Sequence, residues 1–101
     1  MAKLVQFDFP FAGPFGAQMA EALGDLARAI ADEPGFMWKI WTENEASGEA
    51  GGIYLFTDEP SARAYIGKHT ARLAAFGIGG IRAKIFDINE PLTRINHGPI
   101  G

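Results

Sequence analysis

Two stretches of the chain share one spacing: Gly35-Phe-Met-Trp-Lys39-Ile40-Trp41 and Gly80-Ile-Arg-Ala-Lys84-Ile85-Phe86. Each is a β-rich run opened by a glycine, and each follows a segment of helical periodicity. The first helical segment runs from Phe15 to about Ile30, where Phe15, Met19, Ala22, Leu23, Leu26 and Ile30 recur on one side and Glu21, Asp25 and Arg28 on the other. Pro34-Gly35 breaks it. The second opens at Asp58, a helix-capping residue, carries Pro60 in its first turn, presents Ala62, Tyr65, Ile66, Leu73 and Phe76, and stops at Gly77. A strand over residues 3–9 precedes the first helix, and the short polar loop Asn44–Gly48 joins residues 36–43 to a strand near 50–57 as a hairpin. With a last strand over about 81–89, the order is β-α-β-β-α-β. Repeated strand-helix-strand units in that order predict an α+β, ferredoxin-like fold: an antiparallel sheet with two helices on one face. Residues 1–101 form one domain in this reading, with 90–101 a proline-containing tail of little regular structure.

Alternation along the strands sorts their residues into two faces. The largely aliphatic set, Phe36, Trp38, Ile40, Ile53, Leu55, Ile81, Ala83 and Ile85, suits the face under the helices. The other face then carries Gln6, Asp8, Met37, Lys39, Trp41, Tyr54, Phe56, Arg82, Lys84 and Phe86. Leaving four large aromatic side chains of that face in water forfeits about 1.5–3 kcal/mol each. Two copies packed sheet to sheet remove this cost, so the expectation is a homodimer enclosing a small-molecule pocket between the sheet faces. A one-residue error in register exchanges the two sets and makes Trp38 the pocket residue instead of Trp41.

Charge and composition narrow the alternatives. Nine Lys and Arg are scattered among twelve Asp and Glu, for a net charge of -3, which disfavours nucleic acid and an anionic membrane surface as partners. Without cysteine there is no disulfide, thiolate metal site or cysteine nucleophile. His69 and His97 stand alone, so no metal site is expected. The N-terminus alternates polar and apolar residues, and no run approaches the roughly 20 apolar residues of a membrane span. The expected location is cytoplasmic. An RNA-recognition module shares the strand and helix order, but Glu49, Gly51 and Ile53 stand where its third strand needs a base and stacking aromatics.

The blocks Phe11–Gly16, Glu33–Glu43, Glu49–Glu59, Lys68–Leu73 and Phe86–Leu92 resemble, in the right order, the YdhR family of putative monooxygenases, and the resemblance extends from Leu4 to Asn96. It implies membership of the dimeric α+β barrel superfamily, a homodimer with facing sheets, a tail that reaches the other subunit, and oxygenation of an aromatic or polycyclic substrate without a cofactor. Ala12 sits where that family more usually has a polar residue, which makes the first turn a poor place to seek catalysis.

Three residues qualify as catalytic candidates. His69 titrates near neutral pH and can exchange a proton with a bound phenol, or can be a helix-packing histidine. Lys39 can lower the pKa of a bound phenol and stabilise an anion, with Asp8 as base or orienter; alternatively Asp8, Lys39 and Lys84 are an ion-paired cluster. For substrate binding the candidates are Trp41, Tyr54, Phe56, Lys84 and Phe86, whose rings also serve as interface core. Gly51-Gly52 marks a close strand approach. The function expected is cofactor-independent oxygenation of an aromatic molecule, against a non-catalytic small-molecule-binding dimer or a muconolactone-type isomerase.

Overall fold

The computed structural model describes residues Met1–Gly101. Eight elements follow in order: β1 (Lys3–Pro10), α1 (Gly16–Ala22), α2 (Gly24–Ala31), β2 (Phe36–Asn44), β3 (Glu49–Phe56), α3 (Glu59–Ala75), β4 (Arg82–Asp87) and α4 (Glu90–Ile95). The four strands form one antiparallel sheet in the order β2-β3-β1-β4. This is the ferredoxin-like α+β arrangement, with both strand-helix-strand units interleaved. No helix is long and apolar enough to cross a membrane.

Local chemistry explains where the elements stop. The Asp58 carboxylate accepts from the Ser61 backbone N–H at 2.8 Å and caps α3, and Pro60 occupies the first turn, where its missing N–H has no partner to lose. Gly77, at φ +83°, takes the left-handed turn that ends the helix. The helix expected over 15–30 is instead two short helices that meet at Leu23, whose φ of -109° and ψ of 14° leave the helical region. Gly24 follows at once, and a glycine in mid-helix costs about 1 kcal/mol, so the break falls where the helix is weakest. The tail also departs from expectation: the Asn89 side chain accepts from the Leu92 N–H, Pro91 fits the first turn, and α4 forms.

The core lies between helices and sheet. Val5, Phe7 and Phe9 point up from β1, Ala50, Tyr54 and Phe56 from β3, and Met19, Ile30, Ala62, Tyr65 and Leu73 close over them. This inverts the expected faces of β2 and β3. Tyr54 and Phe56 lie beneath α3, with ring centroids 5.0 and 5.1 Å from Tyr65, and Trp41 packs against the same cluster. On β2 the inversion has a local cause: a bulge between Phe36 and Trp38 lets Phe36 keep the inner face beside Phe56 but turns Trp38 and Ile40 outward and Lys39 and Trp41 inward. On β3 the register decides, because Tyr54 stands opposite the buried Val5. On β1 and β4 the expected faces hold, with Gln6, Asp8, Arg82, Lys84 and Phe86 on the open side.

The open face is partly covered by the chain's own tail, which returns so that the Trp38 indole N–H donates to the Pro99 carbonyl at 2.8 Å. Leu55, opposite Leu4 and Trp38, is fully buried there. The two faces should differ sharply in mutational cost: Phe56→Ala, at a fully buried ring, is expected to lose about 3–5 kcal/mol in urea unfolding. Ile40→Ala, at a side chain 53% exposed, should stay within about 1 kcal/mol. Equal losses would contradict the assignment.

Candidate active site

Between the sheet and the helices the core leaves a cavity of about 270 Å³. Phe9, Lys39, Trp41 and Tyr54 form its floor; Met19, Leu23, Leu26, His69 and Leu73 form its roof. Phe11, Pro14 and Ile78 line it from the two loops that flank its mouth, beside Phe76, whose side chain is largely exposed. The walls are apolar almost throughout. Lys39, Tyr54 and His69 are the side chains that bring polar groups to them.

Lys39 is there because β2 is bulged and β3 has no side chain at position 52. A Cβ on Gly52 would stand 2.6 Å from Lys39 Cε and 3.1 Å from the Tyr54 ring, so the glycine clears the path of the lysine stem. The Lys39 Nζ rests 3.3 Å from the Trp41 ring centroid and 4.7 Å from that of Tyr54. Burial, reinforced by the positive charge of Arg72, lowers its pKa from 10.5 to about 7. A shift of that size represents roughly 5 kcal/mol. The two ring faces favour the cation by only about 0.5–2 kcal/mol, so burial wins and the amine exchanges its proton near neutrality.

His69 is 3% exposed and sits among rings: Phe7 meets it edge-on at 5.1 Å and Tyr65 stacks on it at 5.0 Å. Burial, then the charges of Lys39 and Arg72, push its pKa down to about 3. At neutral pH the ring is therefore an uncharged hydrogen-bonding group and not a proton donor. Arg72 Nη1 lies 3.4 Å from His69 Nδ1, and Arg72 Nη2 lies 3.5 Å from Glu33 Oε1, which also receives Lys68 Nζ at 2.6 Å. Burial raises the Tyr54 phenol to about 12 and raises Tyr65 as well, so both keep their protons. The buried Tyr65 hydroxyl has no hydrogen-bond partner.

The cavity thus gathers Lys39, Trp41, Tyr54 and His69. Four other candidates lie elsewhere. Phe56 is buried behind Tyr54, 6.2 Å away, and does not line the space. Asp8, Lys84 and Phe86 belong to the open face, across the sheet from the cavity. The expected cluster of Asp8, Lys39 and Lys84 does not form, because Lys39 is on the opposite side; Asp8 pairs with Arg82 at 2.6 Å. Arg72 and Glu33 were not singled out by sequence. The i,i+3 spacing of His69 and Arg72 carried a signal, but Glu33 reaches them only through the fold. No three His, Asp or Glu side chains converge as a metal-ligand set.

Fold and site together define a class: a ferredoxin-like α+β chain that closes a small, apolar chamber with a poised amine between its own sheet and helices. The chain belongs to the family described as "Putative mono-oxygenase ydhR", whose model matches residues 4–99. No curated protein matches it. Among solved structures it is similar to SnoaB, a cofactor-independent oxygenase from Streptomyces nogalater, with 16% identity and a TM-score of 0.59 over 87% of this chain and 92% of that one. The ActVA-Orf6 monooxygenase of Streptomyces coelicolor, determined with nanaomycin D, shares 19% identity at a TM-score of 0.60, covering 87% and 88%. NE2512 of Nitrosomonas europaea, a protein of unknown function, shares 21% at 0.64, covering 88% and 91%. At these identities the likeness is one of fold.

The depressed pKa of His69 fixes a sign. Between about pH 3 and 6.5 the unfolded chain binds a proton at this residue that the folded chain refuses, so its contribution to stability is complete above pH 6.5 and is lost as pH falls toward 3. His69→Leu should flatten the pH dependence of the unfolding free energy in that window by up to about one proton's slope, about 1.4 kcal/mol per pH unit. Identical slopes in both proteins would contradict the assignment.

Proposed function

We propose that the protein is a cofactor-independent monooxygenase acting on a small planar aromatic molecule bound in the cavity beneath the helices, with Lys39 as general base. The observation that carries this reading is the Lys39 amine, held inside an apolar chamber with its pKa near 7. Family membership and the oxygenases among the structural neighbours support it. A cavity of about 270 Å³ suits a few fused rings; an engineered apolar cavity of about 150 Å³ already takes benzene. Trp41 and Tyr54 offer faces on which such rings stack.

The chemistry needs no group beyond those present and dioxygen. Neutral Lys39 takes a proton from an activated CH₂ flanked by aromatic rings, as in an anthrone, and the resulting carbanion reduces dioxygen to form a C–O bond. The peroxide anion recovers the proton from Lys39, and loss of water leaves a carbonyl. The sum is CH₂ plus O₂ to C=O plus H₂O. The apolar walls raise the energy of a localised charge in water's absence, while the Lys39 ammonium faces the developing anion. The chamber lies within one chain, so a second copy is not required to build it. We assign the open face, where Ile40 is 53% and Phe86 42% exposed, to contact with a second copy.

Aerobic incubation with a panel of anthrones and hydroquinones, followed by oxygen uptake, tests the reading. Turnover should fall by about 10²–10⁴ in Lys39→Met. Because the base is the neutral amine, kcat/KM should drop as pH falls below about 7. Ligands bound and recovered unchanged across the panel would make the protein a binding module, and turnover without oxygen uptake an isomerase; either result overturns the oxygenase.

A further inference from the structure

Behind the cavity, the contacts made by His69 determine which of its nitrogens carries the proton. The ring is packed by Phe7 of β1, Tyr54 of β3 and Tyr65 of α3, and the charged groups around it are Lys39 of β2, Arg72 of α3 and, through Arg72, Glu33. A guanidinium has only donors and does not give up its proton in proteins. With Arg72 Nη1 on Nδ1, that nitrogen must be the acceptor, and the single proton of a neutral imidazole sits on Nε2. Nε2 has no partner within the protein, and the residue lines the cavity. Arg72 is itself anchored: Glu33, whose side chain is 7% exposed, holds its other amine.

We propose that Arg72 is a positioning residue that locks His69 in the neutral Nε2–H form, so that the imidazole presents a hydrogen-bond donor to an anionic oxygen of the bound ligand. The ligand class is then a planar phenolate or enolate, its rings between the apolar walls and its oxygen shared by His69 Nε2–H and the Lys39 ammonium. This oxyanion role rests on the small-aromatic reading of the cavity; the tautomer does not. Glu33 and Arg72 are thus separated from the ligand by one side chain, beyond which only the charge of Arg72 reaches into the cavity.

The two parts have separate readouts. Two-bond ¹⁵N–¹H spectra of full-length protein labelled at histidine, with His97→Asn to assign the two residues, should show His69 Nδ1 as an unprotonated nitrogen and Nε2 as a protonated one at neutral pH. In Arg72→Met the pattern should give way to an exchange-averaged or doubly protonated one, and Arg72→Lys, again a pure donor, should restore it in part. A protonated Nδ1 in the unmodified protein, which needs no variant to fold, would overturn the proposal. So would an unchanged pattern in Arg72→Met.

Binding of 2,4-dinitrophenol and 1,3-dinitrobenzene, followed by NMR titration near pH 6, where the phenol is a phenolate and Lys39 keeps its proton, reads the oxyanion role. Arg72→Met should weaken the dinitrophenolate about tenfold and leave dinitrobenzene unchanged. Equal effects on both, or none, would overturn the donor role. If neither compound binds the unmodified protein while the locked tautomer is seen, the small-aromatic reading fails and takes the oxyanion role with it, whereas the positioning of His69 stands.

Discussion

The seating of one ammonium stem against two aromatic faces organises this molecule. Lys39 enters the space under the helices only because β2 is bulged at its start, and it finds room only because position 52 carries no side chain. Its amine then lies over Trp41 and beside Tyr54, in a layer otherwise built from phenylalanine, leucine and methionine. A helix-facing sheet surface normally excludes such a group, since burying a charge without a counter-ion is costly. Here no carboxylate pairs with the amine, and the charge that reaches it, that of Arg72, has the same sign. The fold tolerates the lysine by letting it lose its proton. A group that is a poor structural element is by the same physics a good base.

Stability is drawn down around that group in a consistent way. His69 is buried in an uncharged form, and the Tyr65 hydroxyl is buried without a partner, where a leucine or phenylalanine would be cheaper in both places. The compensation lies to one side, in Glu33, which gathers Lys68 and Arg72 and so neutralises a guanidinium next to the imidazole. Polar groups therefore run from the surface at Lys68, through Glu33, Arg72 and His69, to the cavity. Lys68 at the outer end is mostly exposed, whereas His69 at the inner end is buried among rings.

Much of this was legible in sequence, and the part that was not has a definite cause. The caps at Asp58 and Gly77 and the hairpin at Asn44–Gly48 gave the element order, and the βαββαβ order gave the sheet. Lys39, Trp41, Tyr54 and His69 were all recognisable as chemistry-bearing residues. Their grouping was not. Alternation assigns faces only where polar and apolar residues contrast, and Ile53-Tyr-Leu-Phe56 offers no contrast. On β2 a single bulge reverses the count after Phe36, and nothing in Phe-Met-Trp-Lys announces it. Strand β1 held the deciding information, because Val5, Phe7 and Phe9 alternate with Gln6 and Asp8, and pairing Val5 with Tyr54 carries that polarity across the sheet. The consequence is large: two of the aromatic residues expected to need a second copy, Trp41 and Tyr54, are the floor of a chamber inside one chain.

The proposed chemistry of the cavity depends on the protonation of one amine. In protein labelled with ¹³C at lysine Cε, titration followed by NMR and assigned with Lys39→Met isolates the Lys39 signal from the three other lysines. A midpoint near 7 is the predicted result. A midpoint near 10.5, the value of a lysine in water, would mean that the side chain is solvated and that no poised base sits under the helices.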